Sequence, residues 1–336
     1  MHTPSVSKQS YKNDSESVPE STVGPMSPAG VIGSLIRTEL SKEQIVRIDA
    51  TYLGHAIDSW WLKRHSSAVS PAERSDLKLL IIHTLKPAHL EILQGVGSSS
   101  SRISAVFFTH TFSIQDKYLA ELVHEAMTEI AGIIDIKYPY EDHKELFPKA
   151  MDRVKTDWGR GLGIIRPHSD DLYENQSINA MCLTVCRDTS STPTWLWMLK
   201  DVVAALSDDE LGKFAMAEAI FISGANVEGR IIEVVKPVLE LSDTEGVNLR
   251  LDFRIDDDIG PRMRFSDHEI QNIFEKLRHR IASLKPLCTH PTTGSVTVLA
   301  NLKVLHGRSA LRPVMLYDGE TSRILFRSKG IKQVLS

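Results

Sequence analysis

A histidine and an aspartate stand two positions apart in Arg166-Pro167-His168-Ser169-Asp170-Asp171, just before an apolar run. In an extended chain, residues two apart point to the same side, so His168 and Asp170 can grip one cation together. A third candidate ligand, His306, lies far downstream in Val304-Leu305-His306-Gly307-Arg308. Two histidines and one carboxylate are the set that holds non-haem Fe(II) while leaving coordination positions open. The chain has 13 histidines, so an H-x-D pair by itself carries little weight. A lone histidine such as His306 is more often a hydrogen-bonded core or surface residue. Three arginines, Arg308, Arg323 and Arg327, accompany His306 at spacings that suit carboxylates near such a metal.

The composition sets the frame in which these residues act. At 336 residues, 42% hydrophobic and 24% charged, the chain is long enough for one large domain or two small ones with an ample core. A net charge of −4 gives no reason to expect a nucleic-acid or membrane-surface partner. No run approaches the ~18 apolar residues of a membrane span. The three cysteines, Cys182, Cys186 and Cys288, form no CxxC pair and leave one odd, so a disulfide framework is not expected. No basic segment leads into an apolar core at the N-terminus, and a reducing cytoplasm is the expected location.

Residues 1–29, rich in Ser, Pro, Lys and Glu, read as a disordered tail. Residues 30–336 read as a single domain with a helical N-terminal part. Ser41-Lys42-Glu43-Gln44 has the form of a capping box, and it predicts a helix over 45–60. Helices are also expected over 71–85, 118–130 and 207–219, and over an amphipathic stretch capped at 266–269. Trp60-Trp61 reads as packing. Extended segments are expected over 103–108, 133–140, 178–185 and 194–197, and repeatedly across 231–255. Two further strands, 295–304 and 321–327, are joined by a loop holding Pro313 and Asp318-Gly319. Trp158-Gly159-Arg160-Gly161 fits either an active-site loop or an ordinary connection. No phosphate-binding glycine motif is present. Many short strands with scattered helices predict a mainly β fold with flanking helices around a jelly-roll (double-stranded β-helix) core.

Several longer pieces extend the pattern: H-S-D-D followed by I-N-A-M-C-L, then T-P-T-W-L-W and L-S-D-D-E-L. The C-terminal pieces are V-L-H-G-R-S-A-L-R-P and Y-D-G-E-T-S-R-I-L-F-R. In these the chain resembles the clavaminate synthase-like branch of the Fe(II)/2-oxoglutarate oxygenases, which includes bacterial hydroxylases of free arginine, lysine and asparagine. The resemblance covers the C-terminal half well and the first 130 residues in outline. It implies Fe(II) and 2-oxoglutarate as cofactors, O₂ as cosubstrate, and hydroxylation of an unactivated C–H with release of succinate and CO₂. His168, Asp170 and His306 match the family's iron ligands. Arg323 and Thr194 match the residues that hold the distal carboxylate of 2-oxoglutarate. Arg327 matches the arginine that binds the carboxylate of an amino-acid substrate.

The departures from the family are informative. Asp170 stands where these hydroxylases usually have Glu, which the wider superfamily accepts, and a carboxylate there argues against a halogenase. In Leu251-Asp252-Phe253-Arg254, the arginine hydroxylase's pair of acids two apart becomes an acid and a base. Asp252 and Arg254 near the far end of the substrate would favour acidic or amide side chains over arginine and lysine. Other readings stay open at this point. They are action on a sulfonate or other organic acid in the manner of taurine dioxygenase, desaturation or cyclisation at the same iron, and a non-catalytic jelly-roll binding protein. The sequence leaves open a monomer or a homodimer, and a free or a carrier-bound substrate.

Overall fold

The computed structural model describes residues 26–64, 69–137, 145–146, 163–189, 192–224, 231–242, 245–257, 259–289, 292–311 and 323–333. The site is framed by strands β1 (Gln44–Asp49), β2 (Ile103–Thr109), β3 (Ile133–Asp135), β4 (Ile165–His168), β5 (Ala180–Asp188), β6 (Thr194–Met198), β7 (Leu287–Thr289), β8 (Val296–Ala300), β9 (Val304–Arg308) and β10 (Arg323–Lys332). The larger sheet runs β1-β2-β8-β5-β10-β3, with Glu145–Leu146 also pairing β10, and the smaller runs β7-β6-β9-β4. β1 and β2 pair in parallel, and the other pairs of the two sheets are antiparallel.

The two sheets share a small core. Ala105, Phe107, Met181 and Leu299 of the larger sheet meet Leu196 and Val304 of the smaller. The alternate residues Val106 and Phe108 of β2 turn the other way, into a layer of helices. That double covering explains why Ile103 to Phe108 is buried at every position. The helices on this side are α2 (Thr51–Leu62), α3 (Pro71–Thr84), α4 (Pro87–Gly95) and α5 (Lys117–Ile130), which follow α1 (Pro28–Ser41) in the chain. α5 buries Leu119, Val123, Met127 and Ile130 along one face. Full burial of such side chains contributes roughly 1.5–3 kcal/mol each. A second core packs α1, α6 (Leu199–Val203), α7 (Asp208–Met216) and α8 (His268–Ser283) with Trp197 and Leu305 of the smaller sheet. Short hairpins between residues 218 and 264 join this second core.

The mainly β fold with flanking helices agrees with the expectation, as do the helices near 71–85, 118–130 and 207–219. The amphipathic stripe Ile270, Ile273, Phe274, Leu277 and Ile281 is buried as expected, although the cap is Asp267 rather than Ser266. Four expectations are corrected. The Ser41 segment ends a helix, and residues 44–49 form β1, so a helix starts only at Thr51. Gln44, the expected partner of Ser41 in that box, is instead the first residue of β1, and Glu43 beside it is buried and binds Ser104 and Lys303. The expected strand 295–304 is two strands, β8 and β9, separated by a turn at 301–303. The strand bearing His168 ends at that residue, so Asp170 lies in a turn. Ordered helix begins at Pro28, inside the expected tail, whose first 25 residues lie outside the described residues. So do Pro139, Trp158 to Gly161, and the loop with Pro313 and Asp318-Gly319.

Candidate metal centre

His168 is the last residue of β4, and His306 is its partner across the ladder on β9. Cross-strand neighbours on one face are close by construction, and the two imidazole centroids stand 4.2 Å apart. Gly307 permits this pairing. A Cβ there would come within 2.5 Å of the Ile165 carbonyl oxygen, so the H-G-R spacing reflects a close backbone approach.

Asp170 is brought in by its turn rather than by strand alternation. Asp171 has a φ of 54°, a left-handed conformation rare for a residue with a side chain. Asn301, in the turn between β8 and β9, clamps the backbone. Its Oδ1 accepts from Asp170 N at 2.8 Å, and its Nδ2 donates to the carbonyls of Asp170 and Ile178, each at 2.9 Å. Behind the turn, Asp171 pairs with the buried Lys329 and accepts a hydrogen bond from Tyr173 Oη at 3.2 Å.

One ligand atom from each of His168, Asp170 and His306 lies within 4.8 Å of the others, and all three residues are buried. His168 Nε2 is 3.1 Å from Asp170 Oδ1, and His306 Nε2 is 3.8 Å from Asp170 Oδ2. His168 Nδ1 donates to the Arg166 carbonyl at 2.8 Å, which fixes the ring and directs Nε2 at the carboxylate. His124 shows what an ordinary core histidine does here: its ring nitrogens bond Thr184 and Ser328 at 3.0 and 2.9 Å. His306 differs, since its Nδ1 is buried with no hydrogen-bond partner among the described residues. Burial, then the neighbouring His168, push the His306 pKa down to about 3, so the ring is neutral and ready to ligate at pH 7. Burial opposes ionisation of Asp170, but the His168 hydrogen bond and the Arg327 charge outweigh it and hold its carboxyl well below the usual range. Two imidazoles and an ionised carboxylate fit a divalent first-row metal.

The cavity over these groups is also lined by Thr194, Arg254, Arg308, Arg323 and Arg327, with Met181, Leu183 and Leu325 as apolar wall. Every site residue expected from the sequence therefore lines this cavity except Asp252, which lies directly behind Arg254. Arg327 Nη1 is 3.2 Å from Asp170 Oδ2. Arg323 is 4% exposed, which rules out an edge-strand residue in solvent, and its Nε is 3.2 Å from Asp188 Oδ2. That pairing depends on a register shift: between Ile324 and Leu325 one step on β10 faces two on β5. Such a bulge re-aims side chains, and here it sets Asp188 opposite Arg323. Arg308 Nη1 donates to the Gly163 carbonyl at 2.7 Å. Residues 251–253 run antiparallel to 167–169 through Ser169 N to Leu251 O at 2.9 Å and Phe253 N to Pro167 O at 3.0 Å. This bridge carries Asp252 and Arg254 to the histidine and aspartate group.

Asn301, Asp171, Lys329 and Asp188 were missed as site residues. The alternation 323, 325, 327, 329 on one strand was a signal for Lys329. Nothing in the sequence signalled Asn301, whose role depends on a turn that the sequence reads as continuous strand.

No family model and no curated protein matches the sequence. Solved structures do. Asparagine oxygenase bound to Fe(II), 2S,3S-3-hydroxyasparagine and succinate matches with a TM-score of 0.63 at 15% identity, over 86% of this chain and 93% of that one. The non-haem iron oxygenase OrfP bound to Fe, succinate and (3R,4R)-dihydroxy-L-Arg matches with a TM-score of 0.64 at 15% identity, over 86% and 95%. OrfP with Fe and alpha-ketoglutaric acid matches at 0.62 and 13% identity, over 86% and 94%. At such identities the likeness establishes architecture alone, and this chain has the fold of asparagine oxygenase and OrfP.

Proposed function

We propose that the protein is an Fe(II)- and 2-oxoglutarate-dependent oxygenase that hydroxylates an unactivated C–H of an amino acid or amino-acid-derived metabolite. The observation that carries this reading is the buried group of His168, Asp170 and His306 under a cavity that Arg323, Arg327 and Thr194 also line. The shared fold with oxygenases that carry iron and alpha-ketoglutaric acid or succinate supports it. On this reading residues 30–336 form one domain, and the two facing sheets are its double-stranded β-helix core. Monomer and homodimer are both compatible with it.

His168, Asp170 and His306 would hold the iron from one side. Bound Fe(II) with 2-oxoglutarate supplies activation of O₂, coupled to conversion of 2-oxoglutarate to succinate and CO₂. The protein's own residues do the rest. Arg323, steadied by Asp188, offers a guanidinium to the distal carboxylate of 2-oxoglutarate, and the Thr194 hydroxyl donates to the same group. Arg327 recognises the substrate carboxylate. It also touches Asp170, so it ties substrate position to the metal ligand. Met181, Leu183 and Leu325 exclude water from the reacting carbon. The test is succinate release from 2-oxoglutarate with Fe(II) across a panel of amino acids. Stimulation by at least one, lost in His306→Ala, supports the reading; release that is indifferent to iron contradicts it.

A further inference from the structure

We infer that the substrate is an amino acid whose side chain ends in an acid, and that the Asp252–Arg254 pair selects it. The inference rests on the oxygenase reading of the same site. Asp252 takes Arg254 in a fork: Nε lies 2.9 and 3.1 Å from its two carboxylate oxygens, and Nη2 lies 2.6 Å from Oδ2. Asp252 Oδ1 also accepts from Arg254 N at 2.9 Å. Asp252 is 3% exposed and Arg254 7%. The carboxylate that would attract a cationic side chain is therefore already occupied by an arginine of the chain itself.

The fork uses Nε and Nη2 and leaves Nη1 for the cavity. Among the described residues, Nη1 makes only a 3.9 Å ion contact with Asp170 Oδ1, too long for a hydrogen bond. A guanidinium held on one side by a carboxylate and open on the other is a rigid donor for a second carboxylate. Its rigidity matters, because little rotamer freedom remains to be lost when a ligand binds.

Charge points the same way. Among the described residues, four guanidinium groups line the cavity, those of Arg254, Arg308, Arg323 and Arg327. Carboxylates of Asp170, Asp188 and Asp252 lie against three of them. A zwitterionic amino acid with an acidic side chain brings a carboxylate to the open edge of Arg254. Arginine or lysine would bring a like charge against that guanidinium in a desolvated site.

The experiment measures binding of L-aspartate, L-glutamate, L-asparagine, L-arginine and L-lysine to the full chain loaded with Fe(II) and 2-oxoglutarate, without O₂. One of the two acids should bind at least tenfold more tightly than asparagine, and the two cationic amino acids should not compete. In Arg254→Met the acid should lose tenfold or more, while arginine or lysine gains affinity for the freed Asp252. The double variant with Asp252→Asn leaves no lone buried charge; it should lose the acid and gain no cation. Equal binding of acid and amide, arginine or lysine as the tightest wild-type ligand, or unchanged acid binding in the double variant overturns the inference. If 2-oxoglutarate loads normally and no acid binds, the inference fails while the oxygenase reading stands. If 2-oxoglutarate does not load, both fail.

Discussion

Replacing Lys329 with methionine tests how the turn that carries Asp170 is held. Lys329 is 3% exposed and Asp171, its partner, 5%. Asp171 Oδ2 has no hydrogen bond among the described residues and relies on the Lys329 ammonium, while Oδ1 takes the Tyr173 hydroxyl. Methionine keeps most of the side-chain volume and removes the charge, so the variant leaves a buried carboxylate with only the tyrosine. Removing one partner of a buried ion pair costs about 3–5 kcal/mol, because the other charge stays desolvated. That is a large part of the ~5–15 kcal/mol total of a typical domain. Urea denaturation at pH 7 should therefore show a sharply lower midpoint for Lys329→Met. Adding Asp171→Asn removes the second charge and should recover most of the loss. Metal affinity should fall with the single variant and return in the double, because Asp171 adjoins the proposed ligand Asp170. A single variant within about 0.5 kcal/mol of wild type, the range of ordinary surface changes, would refute the reasoning. A double variant no more stable than the single would refute it equally.

Three other outcomes follow from particular contacts. Arg323→Ala should weaken 2-oxoglutarate binding roughly ten- to a hundredfold, from the ~1.5–3 kcal/mol of a charge-assisted contact, while Fe(II) titration shows the metal site intact. Burial pushes the Cys182 thiol up to about 12, Cys186 is buried, and Cys288 is partly exposed. A thiol reagent at pH 8 should thus modify Cys288 in the native protein and all three cysteines in urea. Burial lowers the Lys332 pKa to about 8 from 10.5. Between these values the unfolded chain holds the proton more tightly, so this group makes stability rise with pH from 8 to 10.5. Urea midpoints across that range should rise less in Lys332→Met than in wild type.

The three residues that the structure groups at the candidate centre were legible because their chemistry is local in type, though not in position. An H-x-D, an H-G-R and arginines four apart announce themselves wherever the chain carries them. The means of bringing them together was less legible. Sequence reading joins His168 to Asp170 by strand alternation, whereas the structure uses a left-handed residue at Asp171 and the Asn301 clamp. Both are tertiary devices with no periodicity to detect. The Ser41 segment shows the same limit. Its residues have the pattern of a capping box, but Gln44, Ile45 and Val46 pair with β2, and Glu43 makes a buried pair with Lys303. The amphipathic stripe of α8 was read correctly because burial on one face of a helix writes its own period. Arg254 was noticed as a departure in the sequence, but only the fork to Asp252 gives it a direction.

The central claim is that His168, Asp170 and His306 hold a metal that in turn holds 2-oxoglutarate. Calorimetric titration of 2-oxoglutarate into the protein without O₂, with and without Fe(II), tests it most directly. One equivalent should bind tightly to the Fe(II)-loaded protein, with much weaker binding without metal and no metal-dependent gain in Asp170→Ala. Binding of equal strength with and without Fe(II), or a metal-dependent gain that survives Asp170→Ala, would contradict it.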